Sequence, residues 1–143
     1  MEMDDEFLET NDLDWFACCQ DGLLAHFASG GRGFVPVAIR KSVFEYEVIY
    51  DYFYSLTDGF EFEVVERNLQ EFNSAAQRDR YLQSFVEMAK RGLFSYDVSD
   101  AGYKLIARPK GFKKFQELPD EIKNVLHVLS VSVSENVDVS NDV

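Results

Sequence analysis

Two apolar runs, Trp15 to Cys19 and Leu23 to Ala28, flank the dipeptide Asp21-Gly22. Asp-Gly is a preferred centre for a two-residue hairpin turn, because both central positions need a positive φ. The pattern therefore predicts a hairpin from Asp14 to Ser29. That turn sets Cys19 against Leu24, Cys18 against Ala25, Ala17 against His26 and Phe16 against Phe27. Both faces come out apolar, so the hairpin is expected to be covered on both sides or central in its sheet.

Gly30-Gly31-Arg32-Gly33 breaks the strand, and Pro36 keeps the chain extended. Ser42 and Glu45 form a capping box that opens a helix to about Leu56. Phe44, Ile49, Phe53 and Leu56 are its expected inner stripe, with Glu45, Glu47 and Asp51 nearer the outside. Asp58-Gly59 ends it. Residues Phe60 to Val64 alternate apolar and acidic, which predicts a strand with one wet, acidic face.

Ser74 and Gln77 make a second capping box. Its helix is expected to run to Arg91, with Leu82, Phe85, Met88 and Ala89 inward and Gly92 as its stop. A second hairpin, Leu93–Val98 with Tyr103–Arg108, follows. Pairing Val98 with Tyr103 puts Phe94, Tyr96, Val98, Tyr103, Leu105 and Ala107 on one face and sets Asp97 opposite Lys104. Pro119, with Asp120 and Glu121 behind it, starts a last helix expected to reach about Leu129. Val131 and Val133 alternate with serines and predict a short edge strand.

The chain is 46% hydrophobic and 15% aromatic, which argues for a folded globule despite its acidity. No apolar run approaches the roughly 18 residues of a membrane span, and the acidic start does not read as a signal peptide. Adjacent Cys18 and Cys19 are expected as reduced thiols, because a bridge between neighbours strains the intervening peptide. These features predict a cytoplasmic protein. The fold class expected is α+β: a mostly antiparallel sheet built from two hairpins plus one or two single strands, packed with about three helices. Residues 1–12 are expected as a loose acidic N-terminus, 13–134 as one globular domain and 135–143 as a disordered tail.

Charge is distributed unevenly. Residues 1–71 hold sixteen Asp and Glu against four Lys and Arg, a net of −12, whereas residues 72–143 hold ten against ten. A one-signed field attracts a basic partner and repels nucleic acid. Glu45, Glu47, Asp51, Glu61 and Glu63, on an amphipathic helix and a half-exposed strand, are the candidate partner-binding residues. The basic group Lys104, Arg108, Lys110, Lys113 and Lys114 would suggest nucleic acid if taken alone, but the acidic half argues against it.

Other chemistry is sparse. Gly31, Arg32 and Gly33 form a candidate anion site, with backbone amides and a guanidinium around a phosphate; the motif is not a P-loop. His26 and Cys19 share a face in the expected register and make the one nucleophile–base pair worth weighing. Core packing is the simpler role for both. His127 is expected to pack or cap the last helix. Two histidines and two adjacent cysteines offer no zinc spacing, no calcium loop is present, and no cofactor is called for.

The stretch Asp14-Trp15-Phe16-Ala17, then Asp21-Gly22 and Ala25-His26-Phe27-Ala28-Ser29-Gly30-Gly31, resembles the opening of a family of small bacterial proteins. Arg91-Gly92-Leu93-Phe94-Ser95-Tyr96-Asp97, then Tyr103-Lys104-Leu105-Ile106-Ala107-Arg108-Pro109 and Leu118-Pro119, extends the likeness over most of residues 14–119. Such proteins are similar to the immunity-type proteins of bacterial toxin systems. The resemblance implies a non-enzymatic protein that binds and neutralises a toxin; with the acidity, which calls for a basic partner, a toxin domain is the expected partner, and neither nucleic acid nor membrane is expected. It carries no catalytic residues. The alternative is a small-ligand-binding protein or minor enzyme using the Gly30–Gly33 loop and His26.

Overall fold

The structure, a computed structural model, describes residues 2–10, 12–57 and 59–141. Its strands are β1 (Asp14–Cys18), β2 (Leu24–Ala28), β3 (Phe62–Val64), β4 (Phe94–Ser99), β5 (Gly102–Pro109) and β6 (Asn136–Val137). They form one sheet in the order β1-β2-β4-β5-β3, with β6 also on β5. Every pairing is antiparallel except β2 with β4. The helices are α1 (Asp5–Thr10), α2 (Val37–Arg40), α3 (Val43–Ser55), α4 (Ala75–Lys90) and α5 (Asp120–Lys123). The class is α+β with a mostly antiparallel sheet, and the described residues hold five α-helices rather than about three. Among the described residues no helix is long and apolar enough to cross a membrane.

The first hairpin exists, but its register is one residue from the expected one. Trp15 pairs with Phe27, Phe16 with His26 and Cys18 with Leu24. The turn explains the slip. Only Gly22 has a positive φ, 83°; Asp21 does not. Gly22 N donates to Cys19 O at 2.9 Å and Cys19 N to Leu23 O at 2.8 Å. This is a three-residue loop closing on a glycine bulge, not a two-residue turn. Because side chains alternate across a strand, one residue of slip exchanges faces. Phe16 and Phe27 therefore lie on opposite faces and are not a cross-strand pair.

The second hairpin has the expected register at its tip, with Val98 against Tyr103 and Asp97 against Lys104. Further along, a bulge shifts the pairing, so that Tyr96 meets Leu105 while Ser95 meets Ala107. Ile106 is the extra residue. Ala107 consequently joins Ile106 against α4 instead of extending the Tyr103–Leu105 face.

Both long helices start as their caps dictate: Ser42 Oγ accepts from Glu45 N, and Ser74 Oγ from Gln77 N, each at 3.1 Å. α4 buries Leu82, Phe85, Met88 and Ala89 as expected. Gly92, at φ 94°, closes it in a Schellman turn, with Leu93 N donating to Met88 O at 3.1 Å. α3 ends at Ser55; Asp58, half of its expected stop, lies outside the described residues. A short helical turn, α2, follows Pro36 where extended chain was expected. α5 stops at Lys123, well before Leu129. The β-branched residues beyond it favour extended backbone, and they meet an open sheet edge. Cys18 N donates to His127 O at 2.9 Å, Leu129 N to Cys18 O at 2.7 Å, and Gln20 N to Val131 O at 2.9 Å.

Helices α3, α4 and α5 cover one sheet face through Phe16, Leu24, Ile49, Phe53, Met88, Ile122 and their neighbours. The short helices α1 and α2, β6 and the irregular chain between elements cover the other. Met3, Leu13, Val35, Ile39, Leu129, Val137 and Val139 close over Trp15, Phe27, Tyr96, Tyr103 and Leu105. The two terminal expectations need correcting. Met3 is buried and its N–H donates to Arg40 O at 2.8 Å, so the chain at Met3 is docked rather than loose. Residues 135–139, expected as tail, supply β6 and two buried valines; Val131 and Val133 are coil. Residues 142–143 lie outside the described residues.

Candidate functional site

α3 packs through a row of aromatic side chains four residues apart. Tyr50 stacks on Tyr54 with ring centroids 4.2 Å apart, and Phe53 stacks on Phe16 at 4.9 Å. The Tyr46 hydroxyl donates to the Asp14 carbonyl, and the Tyr54 hydroxyl to Asp14 Oδ2 at 3.2 Å. Docking that row against β1 turns Phe44, Glu47 and Asp51 outward, at helical spacing on the far side. Phe44 was expected inside; it is 74% exposed. The sequence of α3, apolar or aromatic nearly all round, gives its stripe little contrast, and the tyrosine hydroxyl contacts decide the rotation.

The five candidate acids do not form one patch. Glu47 and Asp51 are exposed on α3, whereas Glu45 is half-buried beside Tyr46, Ile49 and Val125. Among the described residues, none of these three forms an ion pair. Glu61 and Glu63 belong to the β3 end of the sheet, the edge opposite β1. There Glu63 meets Arg108 Nε at 2.6 Å, as an ion pair rather than an aligned hydrogen bond.

The glycine loop spends two of its amides on its own backbone. Gly30 and Gly31 do take positive φ, 59° and 75°. However, the amides of Arg32 and Gly33 both donate to the Ser29 carbonyl, at 3.1 and 2.8 Å. Arg32 faces Asp100 at 3.7 Å, and the adjoining cavity of about 410 Å³ also carries Asp138. Two carboxylates outweigh one guanidinium there. Gly33 serves packing: a Cβ on it would sit 2.5 Å from the Tyr103 hydroxyl. That hydroxyl donates to Phe34 O at 2.8 Å and accepts from Trp15 Nε1 at 3.2 Å.

The register slip also separates Cys19 from His26. Cys19 lies on the face with Trp15, and His26 on the helix-covered face with Phe16. His26 instead joins a polar line that sequence reasoning missed. Its Nδ1 is 2.7 Å from Ser95 Oγ, and its Nε2 is 3.5 Å from Asp14 Oδ1. Burial works to raise the Asp14 carboxyl, but the interaction with His26 and the Tyr54 hydroxyl outweigh it, so its pKa falls below the ordinary 3.8. Serine, histidine and aspartate in a row invite a hydrolase reading. Nucleophilic attack needs the hydroxyl in a space a substrate can enter. Ser95 and His26 are 0% exposed, His26 lies against Phe16 and Phe85, and neither lines the cavities beside α3, α4, the first hairpin turn or the glycine loop. The line pairs Ser95 with His26 Nδ1 where β1, β2 and β4 meet, and leaves Nε2 facing the Asp14 carboxylate without an aligned hydrogen bond. Ser95 arrives through the parallel β2–β4 pairing, which no local turn signals.

His127, expected on a helix, lies beyond α5, and its carbonyl serves the β1 edge. Among the described residues, no group of three His, Cys, Asp or Glu is placed to hold a metal ion. Compared with protein-family models, curated proteins and solved structures, the chain matches none.

Proposed function

We propose that this chain is a non-enzymatic binding protein whose α3 face docks a basic protein surface, in an immunity-type role that neutralises a toxin in the cytoplasm. The observation that carries the reading is the outward stripe of α3. Phe44 stands 74% exposed beside Glu47 and Asp51, on a helix without a single Lys or Arg. An exposed aromatic beside unpaired carboxylates fits a binding hot spot better than a solvated helix face does. Such a ring fits an apolar recess or an arginine plane on the partner. The carboxylates raise the encounter rate with a positive surface and would compete with nucleic acid for it.

The test uses a toxin encoded beside this gene, with association and dissociation followed on an immobilised chain. Glu47→Lys with Asp51→Lys should slow association about tenfold at low salt, and the loss should shrink as salt screens the field over about 10 Å at 0.1 M. Phe44→Ala should instead speed dissociation, by about 2 kcal/mol if the ring is a hot spot. Binding indifferent to salt and to all three substitutions would refute the reading.

A further inference from the structure

A groove of about 530 Å³ runs between α4 and β3, floored by Phe62, Val64, Leu82 and Val86. β3 is the last strand of the sheet on that side. It bonds to β5 through alternate residues: Lys110 N donates to Glu61 O at 2.7 Å, and Val65 N to Ile106 O at 2.8 Å. In an antiparallel ladder, residues bonded to the neighbour alternate with residues directed away from it. The N–H and C=O groups of Phe62 and Val64 therefore point out along the open edge. Among the described residues nothing bonds them. The side chains of the same two residues pack toward α4, into the groove.

The other face of β3 carries a charge ladder. Glu63 stands opposite Arg108, and Glu61 opposite Lys110 at the next matching rung. Opposite charges across a ladder stabilise it. This ladder ends on acid, so a further strand extends it best with a base at each rung.

We propose that the outer edge of β3 takes an extended segment of a partner protein by strand addition. Apolar side chains of that segment enter the groove, and the lysines or arginines between them face Glu61 and Glu63. Main-chain bonds to Phe62 and Val64 give affinity, and the alternation gives specificity. A second copy of this chain does not fit, because self-pairing would set Glu61 and Glu63 against their own counterparts. The surface is separate from α3 and does not rest on the function proposed above.

The probe is a short fluorescent peptide of strictly alternating lysine and valine, titrated onto the full chain and followed by anisotropy. It should bind saturably, with amide shifts at Phe62 and Val64, while a glutamate–valine peptide does not. Two further peptides are N-methylated, one on every valine and one on every lysine. Strand addition uses one alternate set of amides, so one of the two should lose about tenfold or more in affinity and the other should keep it. Val64→Pro, which removes an outward donor at a position where an edge strand tolerates proline, should match the weaker peptide. Phe44→Ala should change nothing. Three results would overturn the proposal: no binding, as expected if Glu63 on so short a strand only blocks edge pairing; equal loss, or none, from both methylated peptides; or shifts centred on α3.

Discussion

Phe27 is the most informative residue to remove. Its ring is wholly buried between Trp15, stacked at 4.2 Å, and Tyr96, stacked at 5.0 Å, with Tyr103 edge-on at 5.0 Å. A buried Phe→Ala change costs about 3–5 kcal/mol, more where the site cannot collapse. Three surrounding rings, two anchored by hydroxyl bonds to Phe34 O and Ser134 O, leave little room for collapse. The upper part of that range, about 4–5 kcal/mol, is expected. In urea this moves the midpoint by about 2 M, for a slope near 2 kcal/mol/M. Circular dichroism avoids relying on Trp15, the single tryptophan. A double-mutant cycle then tests the register. Trp15 with Phe27 should couple by about 0.5–1.5 kcal/mol, whereas Phe16 with Phe27 should couple by about zero. Strong Phe16–Phe27 coupling, or a Phe27→Ala loss under about 1 kcal/mol, would refute the pairing described above.

Three further outcomes follow from the same packing. Burial and the charge of Asp21 push the Cys18 thiol up to about 11, so it should alkylate far more slowly than a free thiol in the native protein at neutral pH; rapid labelling there would contradict its burial. Asp14 titrates below 3.8 when folded, so its contribution to stability is complete above that value and disappears as pH falls through the lower folded one. Asp14→Asn should flatten that part of an acid-unfolding curve, and an unchanged curve would show that the carboxyl is not coupled to folding. Gly33→Ala should force Tyr103 off its bond to Phe34 and lower the thermal midpoint, since the new Cβ would sit 2.5 Å from the hydroxyl and 3.0 Å from Ser29 O; an unshifted midpoint would show that the loop yields freely.

What the sequence reveals is local. Ser42, Ser74 and Gly92 mark helix ends because each acts on backbone groups within a few residues. The tip of the second hairpin is legible for the same reason, through Asp97 and Lys104. What it hides depends on contacts distant in sequence. Asp21-Gly22 fits two turn types, and the choice between them moved Cys19 away from His26. The parallel β2–β4 pairing, which brings Ser95 to His26, has no turn to announce it. The rotation of α3, which exposes Phe44, follows from tyrosine hydroxyls reaching Asp14, a residue outside the helix.

The stretch from His127 to Val137 has a consequence for the order of events during synthesis. It bonds back to residues made much earlier: Gln20 Nε2 donates to Ser132 Oγ, and Val133 N to Asp21 Oδ2, each across 112 positions. A ribosome that has delivered both hairpins but not this stretch holds β1 with one edge bare and an aromatic sheet face half uncovered. Contacts between distant residues form slowly, and unpaired strand edges are where nascent chains associate wrongly. The vulnerable interval is therefore the one between delivery of the second hairpin and delivery of this stretch, and crowding or chaperone shortage at that moment would lower the yield of folded chain.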